Sequence, residues 1–591
     1  MKQYLFLLFC CLVSNIVICQ KNDFIWLSGA YNIADDTATN FILDFNFSPP
    51  KIEKAESKID MSYANICMSD SNGILQYYTN GCIVRAKNHI VMENGDYINE
   101  GIASTIYSNN CGPNGLGLYP VFQGIFALPF DNNIYGLFHT RMEADPAGPN
   151  GVCLYGALLY SQIDMNANQG LGRVVFKDSI LLEGCLQTSS ANRHANGRDW
   201  WVLLPDNVNN RFYRFLSTPE GIQGPWTQEI ENPTIVDTFF YLGWSEFSPN
   251  GERFLINDIH SGTVIYDFDR CTGLLSNLRH LPGNLDSYGW AAAFSPDSRF
   301  IYVVKGNFTT IEQFDLEEPD ILSSQITVAV WDTFYYFQPG GGPRQTFFSY
   351  FQHGPDGKLY DWAGDTKYMH IMNYPNRKGE KCKFQQRAIE LPYYTFGANA
   401  YYPNYRLGPI DGSSCDTLGI NNNPVALFRY EVEDTLSPLQ VTFTDLSYYE
   451  PTTWHWGFGD GMTSQDTSPM HLFQNAGTYN VCLTVSNANG ADTFCQLVKV
   501  GVVSIHDLPV LPLARVSPNP FGSWVTVSLP VLLQEKPRFV LFDVFGREAT
   551  SVCLTDFETH IDLPGLPSGL YVWQLCFRNV LVQTGKIIKT D

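Results

Sequence analysis

The chain has 591 residues and a formal net charge of −22, with 16% charged residues, 14% aromatic residues, 48 glycines and 34 prolines. That length exceeds what one hydrophobic core serves, so several domains are expected, and the composition is that of a β-rich exported protein. The acidic balance, with no basic patch along the chain, argues against nucleic acid and anionic membrane as partners.

Residues 1–19 read as a signal peptide. Lys2 supplies a short positive start, Tyr4 to Ile18 is almost wholly apolar, and Val17 and Cys19 are small enough for cleavage before Gln20. The apolar run is shorter than the ~20 residues a spanning helix needs. The mature chain is therefore expected to lack a membrane span. Three of the 15 cysteines lie in this leader, and the even remainder in an exported chain points to disulfides. Cys482 and Cys495 flank the turn Asn487 to Gly490 and are expected to bridge neighbouring strands. Cys382 and Cys415 are expected to bracket the end of the large N-terminal domain. With no CxxC pair and no His-Glu-x-x-His, neither a metal nor a cofactor is expected.

Residues 24–410 carry a degenerate repeat. Its clearest copies are Phe247 to Phe254, Phe294 to Tyr302 and His353 to Tyr360; the first two start 47 residues apart and the third follows after 59. Weaker copies run Asp70 to Leu75, Phe130 to Tyr135 and Ala195 to Trp201. Pro and Asn/Asp-Gly supply the tight turn, and an aromatic or branched strand follows. Strands repeated at this period read as propeller blades. The units resemble the WD40-like repeats of bacterial β-propellers, though the Gly-His and Trp-Asp marks are absent. A segment of this length holds about six to eight such blades, with seven favoured, and ring closure is expected to pair Phe41 to Phe45 with Tyr401 to Leu407. A pair of β-sandwiches is the alternative.

One dense polar stretch in this domain is Arg193, His194, Asn196, Arg198 and Asp199, just before Trp200 and Trp201. It has two readings: a channel lining that binds an anionic or sugar ligand, or a set of hydrogen bonds tying one blade together. The loop Asn109 to Gly117 reads as an exposed loop, and Gly340 to Gly342 is a second glycine-rich stretch. No strand–helix context makes the latter a phosphate cradle.

A linker, 411–424, leads to residues 425–501. These contain Trp454-His455-Trp456-Gly457-Phe458-Gly459-Asp460-Gly461, then His471, Gly477-Thr478-Tyr479 and Leu483-Thr484-Val485. The pattern resembles a PKD domain, an immunoglobulin-like β-sandwich, with Phe473 where that family often has Tyr. Trp456 and Phe458 are expected in its core, Gly459, Asp460 and Gly461 in a turn, and His471 in a structural hydrogen bond. The resemblance implies a spacer or a module contacting protein or polysaccharide.

After a second linker, 502–512, residues 513–591 open with Pro518-Asn519-Pro520-Phe521. They continue through Phe545-Gly546-Arg547 and Ser568-Gly569-Leu570-Tyr571 to Lys586-Ile587-Ile588-Lys589. Val525, Val527 and Leu529 alternate with polar residues, as in a strand with one buried face. This module resembles the type A C-terminal sorting domain of type IX secretion cargo in Bacteroidetes, a small β-sandwich. The resemblance implies export to the cell surface or the outer-membrane exterior, with the secretion machinery as a partner.

The whole therefore reads as an all-β, exported, non-enzymatic binding or adhesion protein. Its propeller is expected to present a ligand face to a surface polysaccharide or a protein. No Gly-x-Ser-x-Gly is present, and no motif picks out a carboxylate pair. A secreted propeller hydrolase or lyase acting on polysaccharide is the alternative reading.

Overall fold

A computed structural model of the chain describes all residues except 1–20, 33–36, 103–110, 112–118, 146–151, 207–208, 231–242, 259–261, 284–290, 338–341, 395–399, 433–438, 502–513, 530–536, 545, 578–579 and 591. The expected signal peptide, most of the loop 109–117, Gly340 and Gly341, the expected second linker and Phe545 lie outside the described residues. The chain packs as two compact units. One comprises residues up to Glu431 with Thr442–His471 and Tyr479–Val498; the other comprises Val432–Val441, Leu472–Thr478 and Lys499–Asp591. Among the described residues no helix is long and apolar enough to cross a membrane.

Among the described residues of the first unit, seven antiparallel sheets of three or four strands follow one another in chain order ahead of the PKD strands, the blades of a propeller. Blades 1 and 2 have three strands each: Ile25–Ser28, Phe41–Asp44 and Lys51–Lys54, then Ile66–Ser69, Leu75–Thr79 and Val84–Ala86. Blades 3 to 7 have four. Their first strands are Ile125–Phe130, Ser190–Arg193, Gly243–Phe247, Ala292–Phe294 and Phe351–His353. Every copy of the sequence repeat, strong or weak, is the turn joining first and second strands in blades 2 to 7.

The reason is local. Each turn places one residue at positive φ, at Gly73, Asn133, Gly197, Gly251, Ser298 and Gly357. Glycine and asparagine adopt that conformation at little cost. In blades 5 and 6 the serine hydroxyl closes the turn: Arg253 N donates to Ser248 Oγ (2.9 Å) and Phe300 N to Ser295 Oγ (2.8 Å). The strand that follows is apolar because it packs between neighbouring blades. Trp201, Leu203 and Phe212 of blade 4 lie against Phe254, Ile256 and Tyr266 of blade 5.

Blade 7 meets blade 1 through aromatic rings. Trp26 stands edge-on to Tyr360 at 5.3 Å, and Phe45 does so at 5.5 Å. The expected closing ladder does not form. Phe41–Asp44 is already paired on both edges, with Ile25–Ser28 and with Lys51–Lys54. Tyr401 to Leu407 instead runs without strand structure. Pro403 has no N–H to give a ladder, and the Asn404 side chain takes Arg406 N at 2.9 Å to make a turn. This segment acts as a plug. Tyr401 stands edge-on to Phe126 of blade 3 and to Trp244 of blade 5, at 5.8 and 6.3 Å. Tyr405 donates to Ala127 O at 2.9 Å.

Four disulfides are present among the described residues: Cys82–Cys111, Cys153–Cys185, Cys271–Cys415 and Cys482–Cys495. The cross-strand pair Cys482–Cys495 is as expected. Cys415 does not act with Cys382: it bonds Cys271 in blade 5, and Cys382 is a buried thiol. The segment after the plug turns back across blade 5, so chain proximity misled. This bond closes 144 residues. Replacing both cysteines with serine is expected to cost about 3 kcal/mol in denaturant unfolding, the usual loss when a disulfide is removed and the unfolded chain regains its freedom. A non-reducing peptide map of the wild type should show the linked pair.

The PKD strands form two sheets. One contains Phe428–Val432, Gln440–Asp445 and Met470–Leu472; the other contains Thr463–Ser464, Thr453–Gly457, Gly477–Ser486 and Ala491–Val500. Trp456 and Phe458 are buried, with Trp456 packed on Phe428 and Phe443 at 5.0 and 5.5 Å.

In the second unit, residues from 514 onward form a sandwich. A three-stranded sheet (Arg515–Ser517, Trp524–Ser528, Glu558–Asp562) faces a four-stranded one (Glu548–Cys553, Arg538–Phe542, Gly569–Phe577, Val580–Lys589). Val525, Val527 and Leu529 point into its core with Phe521, Phe539 and Trp573.

Candidate functional site

The polar stretch before Trp200 forms the turn of blade 4. His194 Nδ1 accepts from Asn196 N at 3.0 Å, which leaves the proton on Nε2 to reach Cys271 O at 3.1 Å. Burial lowers the pKa of this imidazole. Asn196 Nδ2 donates to Asp199 Oδ2 and Arg198 Nε to Asp199 Oδ1, both at 2.7 Å. Arg193 lies over the Trp200 ring at 3.8 Å and donates to Arg198 O. Burial brings its pKa down to about 10. These five residues are brought together, but chiefly to satisfy one another, and none lines the pocket described next.

That pocket, about 600 Å³, opens at the end of the propeller that carries the repeated turns. Blades 5, 6 and 7 supply Glu246, Pro249, Pro296, Gln352 and His353; the plug supplies Tyr401, Tyr402, Asn404 and Arg406. A further wall is the loop Asp445 to Glu450, between the second and third strands of the PKD domain. The walls are tied down. Arg406 is paired with Asp23 through both guanidinium nitrogens. Arg270 donates to Arg193 O and Gly408 O. Asn487 Nδ2 donates to Tyr449 O at 3.0 Å and Asn422 O at 2.7 Å.

Inside, Glu246 Oε1 accepts Phe294 N at 2.8 Å, and Trp244 Nε1 approaches Oε2 at 3.4 Å. His353 Nε2 lies 3.9 Å from Glu246 Oε1, too far for a hydrogen bond. Gln352 Nε2 and His353 Nε2 are buried with no hydrogen-bond partner. Burial raises the pKa of Asp445, and burial with the nearby Asp411 and Glu252 charges raises that of Glu450. No sequence motif marked this pocket. The only trace was that its rim reuses the repeated Pro-containing turns.

The other motif residues serve structure. His471 Nε2 bonds Asp460 Oδ2 at 2.7 Å, and its ring stacks on Phe458 at 3.9 Å. Burial works against ionisation of Asp460, but the bonds from His471 and Met462 N prevail and hold its pKa below the usual value. Gly459 and Gly461 have positive φ, as their turn requires. Gly477 and Tyr479 open the strand Gly477–Ser486. In the terminal sandwich, Asn519 bridges two residues of the last strand: its Nδ2 donates to Lys586 O (3.2 Å) and its Oδ1 accepts Ile588 N (3.0 Å). Pro518 and Pro520 flank it. Gly546 sits at positive φ in a hairpin, Gly569 opens the strand Gly569–Phe577, and Tyr571 donates to Pro567 O at 2.8 Å.

Comparison with known proteins adds the following. The pre-pro-metalloprotease PrtV of two Vibrio cholerae strains is 37% identical over 109 residues, which are 18% of this chain and 11% of the relative. The chain thus spans about a tenth of the length of these curated relatives. The crystal structure of the PKD1 domain of PrtV is 33% identical, covering 14% of this chain and 99% of that one, with a TM-score of 0.13. A putative 6-phosphogluconolactonase of Bacteroides uniformis is 12% identical, covering 59% of this chain and 91% of that one, TM-score 0.35. The periplasmic gluconolactonase PpgL of Pseudomonas aeruginosa is 13% identical, covering 64% and 99%, TM-score 0.33. The PKD domain family profile matches residues 421–502. With its buried Trp456, glycine turn and two sheets, this segment of the chain is a PKD domain.

Proposed function

We propose that this is an exported, cell-surface binding protein whose propeller holds its ligand without transforming it. The observation that carries this reading is the pocket at the turn end of the ring. It is walled by tyrosines and contains buried amide and imidazole nitrogens with no partner. Such groups are what a binding site offers before its ligand arrives. The PKD domain supports an extracellular setting. The terminal sandwich, with Asn519 clasping the last strand, supports the type IX sorting role that its motifs imply.

A second reading rests on Glu246 and His353. A buried carboxylate beside an imidazole is the pairing that general acid–base chemistry uses, so a polysaccharide hydrolase or lyase is the rival. One experiment separates the two. The full chain is incubated with a panel of polysaccharides, and both retention and new reducing ends are measured. Retention without new ends is expected; shortened chains would establish the enzyme instead. For export, removing residues 513–591 in a host with type IX secretion should abolish surface display. Undiminished display would remove the sorting role.

A further inference from the structure

We infer that the pocket is a site for neutral sugar, and that the PKD loop is a working wall of it rather than part of a spacer. This rests on the binding reading above and gives it a ligand class and a place. The Gln352 side chain is only 7% exposed, yet its Nε2 has no hydrogen-bond partner. A buried donor left unmade costs about 1–3 kcal/mol, a cost that an incoming oxygen acceptor removes. On the same strand, His353 Nε2 is likewise unpartnered. Across from His353, at 3.9 Å, stands the Glu246 carboxylate, an acceptor held in place by Phe294 N.

Unmade nitrogen groups and a fixed acceptor lining one pocket suit neighbouring hydroxyls, each of which both accepts and donates. A carboxylate or phosphate ligand would satisfy the donors but would meet Glu246 with like charge. The wider lining points the same way. It holds six carboxylates (Asp23, Glu246, Glu252, Asp297, Asp445, Glu450) against the guanidiniums of Arg270 and Arg406. That surplus disfavours anionic sugars.

The PKD loop contributes Tyr448 and Tyr449, whose rings meet edge-on at 4.9 Å. Tyr449 and Glu450 both have positive φ, at 66° and 53°. Non-glycine residues hold that conformation only where surroundings impose it. Here the Asn487 side chain fixes the carbonyls of both. The propeller and the first PKD strand, Phe428–Val432, are joined independently of the pocket. Lys358 pairs with Glu431 at 3.1 Å, and Arg429 donates to Asn373 O at 2.8 Å.

The test is affinity electrophoresis of the full chain through starch, xylan, yeast mannan and polygalacturonate. Gln352→Leu and Tyr449→Ala are run beside the wild type, with thermal unfolding of each to establish folding. Retardation by at least one neutral polysaccharide and none by polygalacturonate is expected. Each variant should bind that polysaccharide at least tenfold more weakly. Tyr449 is partly exposed, so its variant carries the test even where Gln352→Leu does not fold. Neutral retention that a folded variant leaves unchanged would overturn this site and leave the binding reading standing. Retention by polygalacturonate alone would overturn the neutral-sugar assignment. No retention on any of the four would overturn the ligand class, and new reducing ends would overturn the binding reading itself.

Discussion

Replacing Tyr405 with alanine is expected to destabilise the propeller by about 4 kcal/mol, the usual cost of deleting a fully buried aromatic side chain. Tyr405 is fully buried at the centre of the ring. Its ring stands edge-on to Trp200 at 6.0 Å, and its hydroxyl donates to Ala127 O, on the first strand of blade 3. Few atoms can collapse into the gap, because the surrounding strands are held by their own ladders. Tyr405→Phe removes only the hydrogen bond and is expected to cost about 1 kcal/mol. Equilibrium denaturation of the three proteins measures both. A loss below 1 kcal/mol for the alanine variant would mean that the plug is not part of the core.

The second large effect is acid destabilisation through His139 and His370. Both are buried and neutral, and burial lowers each pKa to about 3, with Arg141 and Arg387 respectively adding to the shift. Their ring nitrogens are occupied. His139 Nδ1 meets Asn99 Oδ1 at 2.7 Å and Nε2 meets Ser161 Oγ at 2.8 Å. His370 Nδ1 accepts Arg387 N at 2.9 Å, so Nε2 carries the proton toward Thr346 O at 3.2 Å. The Asp178 carboxylate, 3.7 Å from His139, is itself pushed toward its neutral form, chiefly by burial.

The unfolded chain takes up these protons near pH 6.5, whereas the folded chain resists until about pH 3. The stability they contribute is therefore complete above pH 6.5 and is lost as pH falls through that window. At one proton per site, lowering the pH from 6.5 to 4.5 should remove about 5 kcal/mol from the pair. Denaturant unfolding at the two pH values tests it. A His139→Gln/His370→Gln variant should show a distinctly flatter pH dependence; an unchanged slope would assign the acid loss elsewhere.

Asp361 works in the opposite direction. It is fully buried, and burial raises its pKa well above the usual carboxylate range, against the bond from Ser349 N. The unfolded carboxyl ionises first, so its contribution is present at low pH and is lost as pH rises toward the folded value.

Much of the architecture was legible because it is written in short-range chemistry. A turn that needs positive φ selects Gly, Asn or a compensated Ser, so six blades announced themselves through Gly73, Asn133, Gly197, Gly251, Ser298 and Gly357. The strand after each turn packs on both faces, which explains its run of aromatic and branched residues. The PKD pattern was readable for the same reason: Trp456, Phe458 and the Gly459–Gly461 turn lie within six residues of one another. Arg193 to Asp199 were legible only as a polar cluster. Whether their groups face a ligand or each other depends on Cys271 and Tyr405, far away in the chain.

The sequence by itself determined the all-β class, the repeated unit and the PKD segment, because each depends on neighbours a few residues apart. Only the tertiary structure decided how the ring closes, which cysteine Cys415 meets and where a ligand can enter. Blades 7 and 1 close the ring through Trp26, Phe45 and Tyr360, and the segment around Pro403 plugs it with tyrosines and makes no ladder. The Cys271–Cys415 bond spans 144 residues. The pocket gathers side chains from Asp23 to Glu450. Such contacts arise when the whole ring closes and buries Tyr401 and Tyr405, and no local pattern records them.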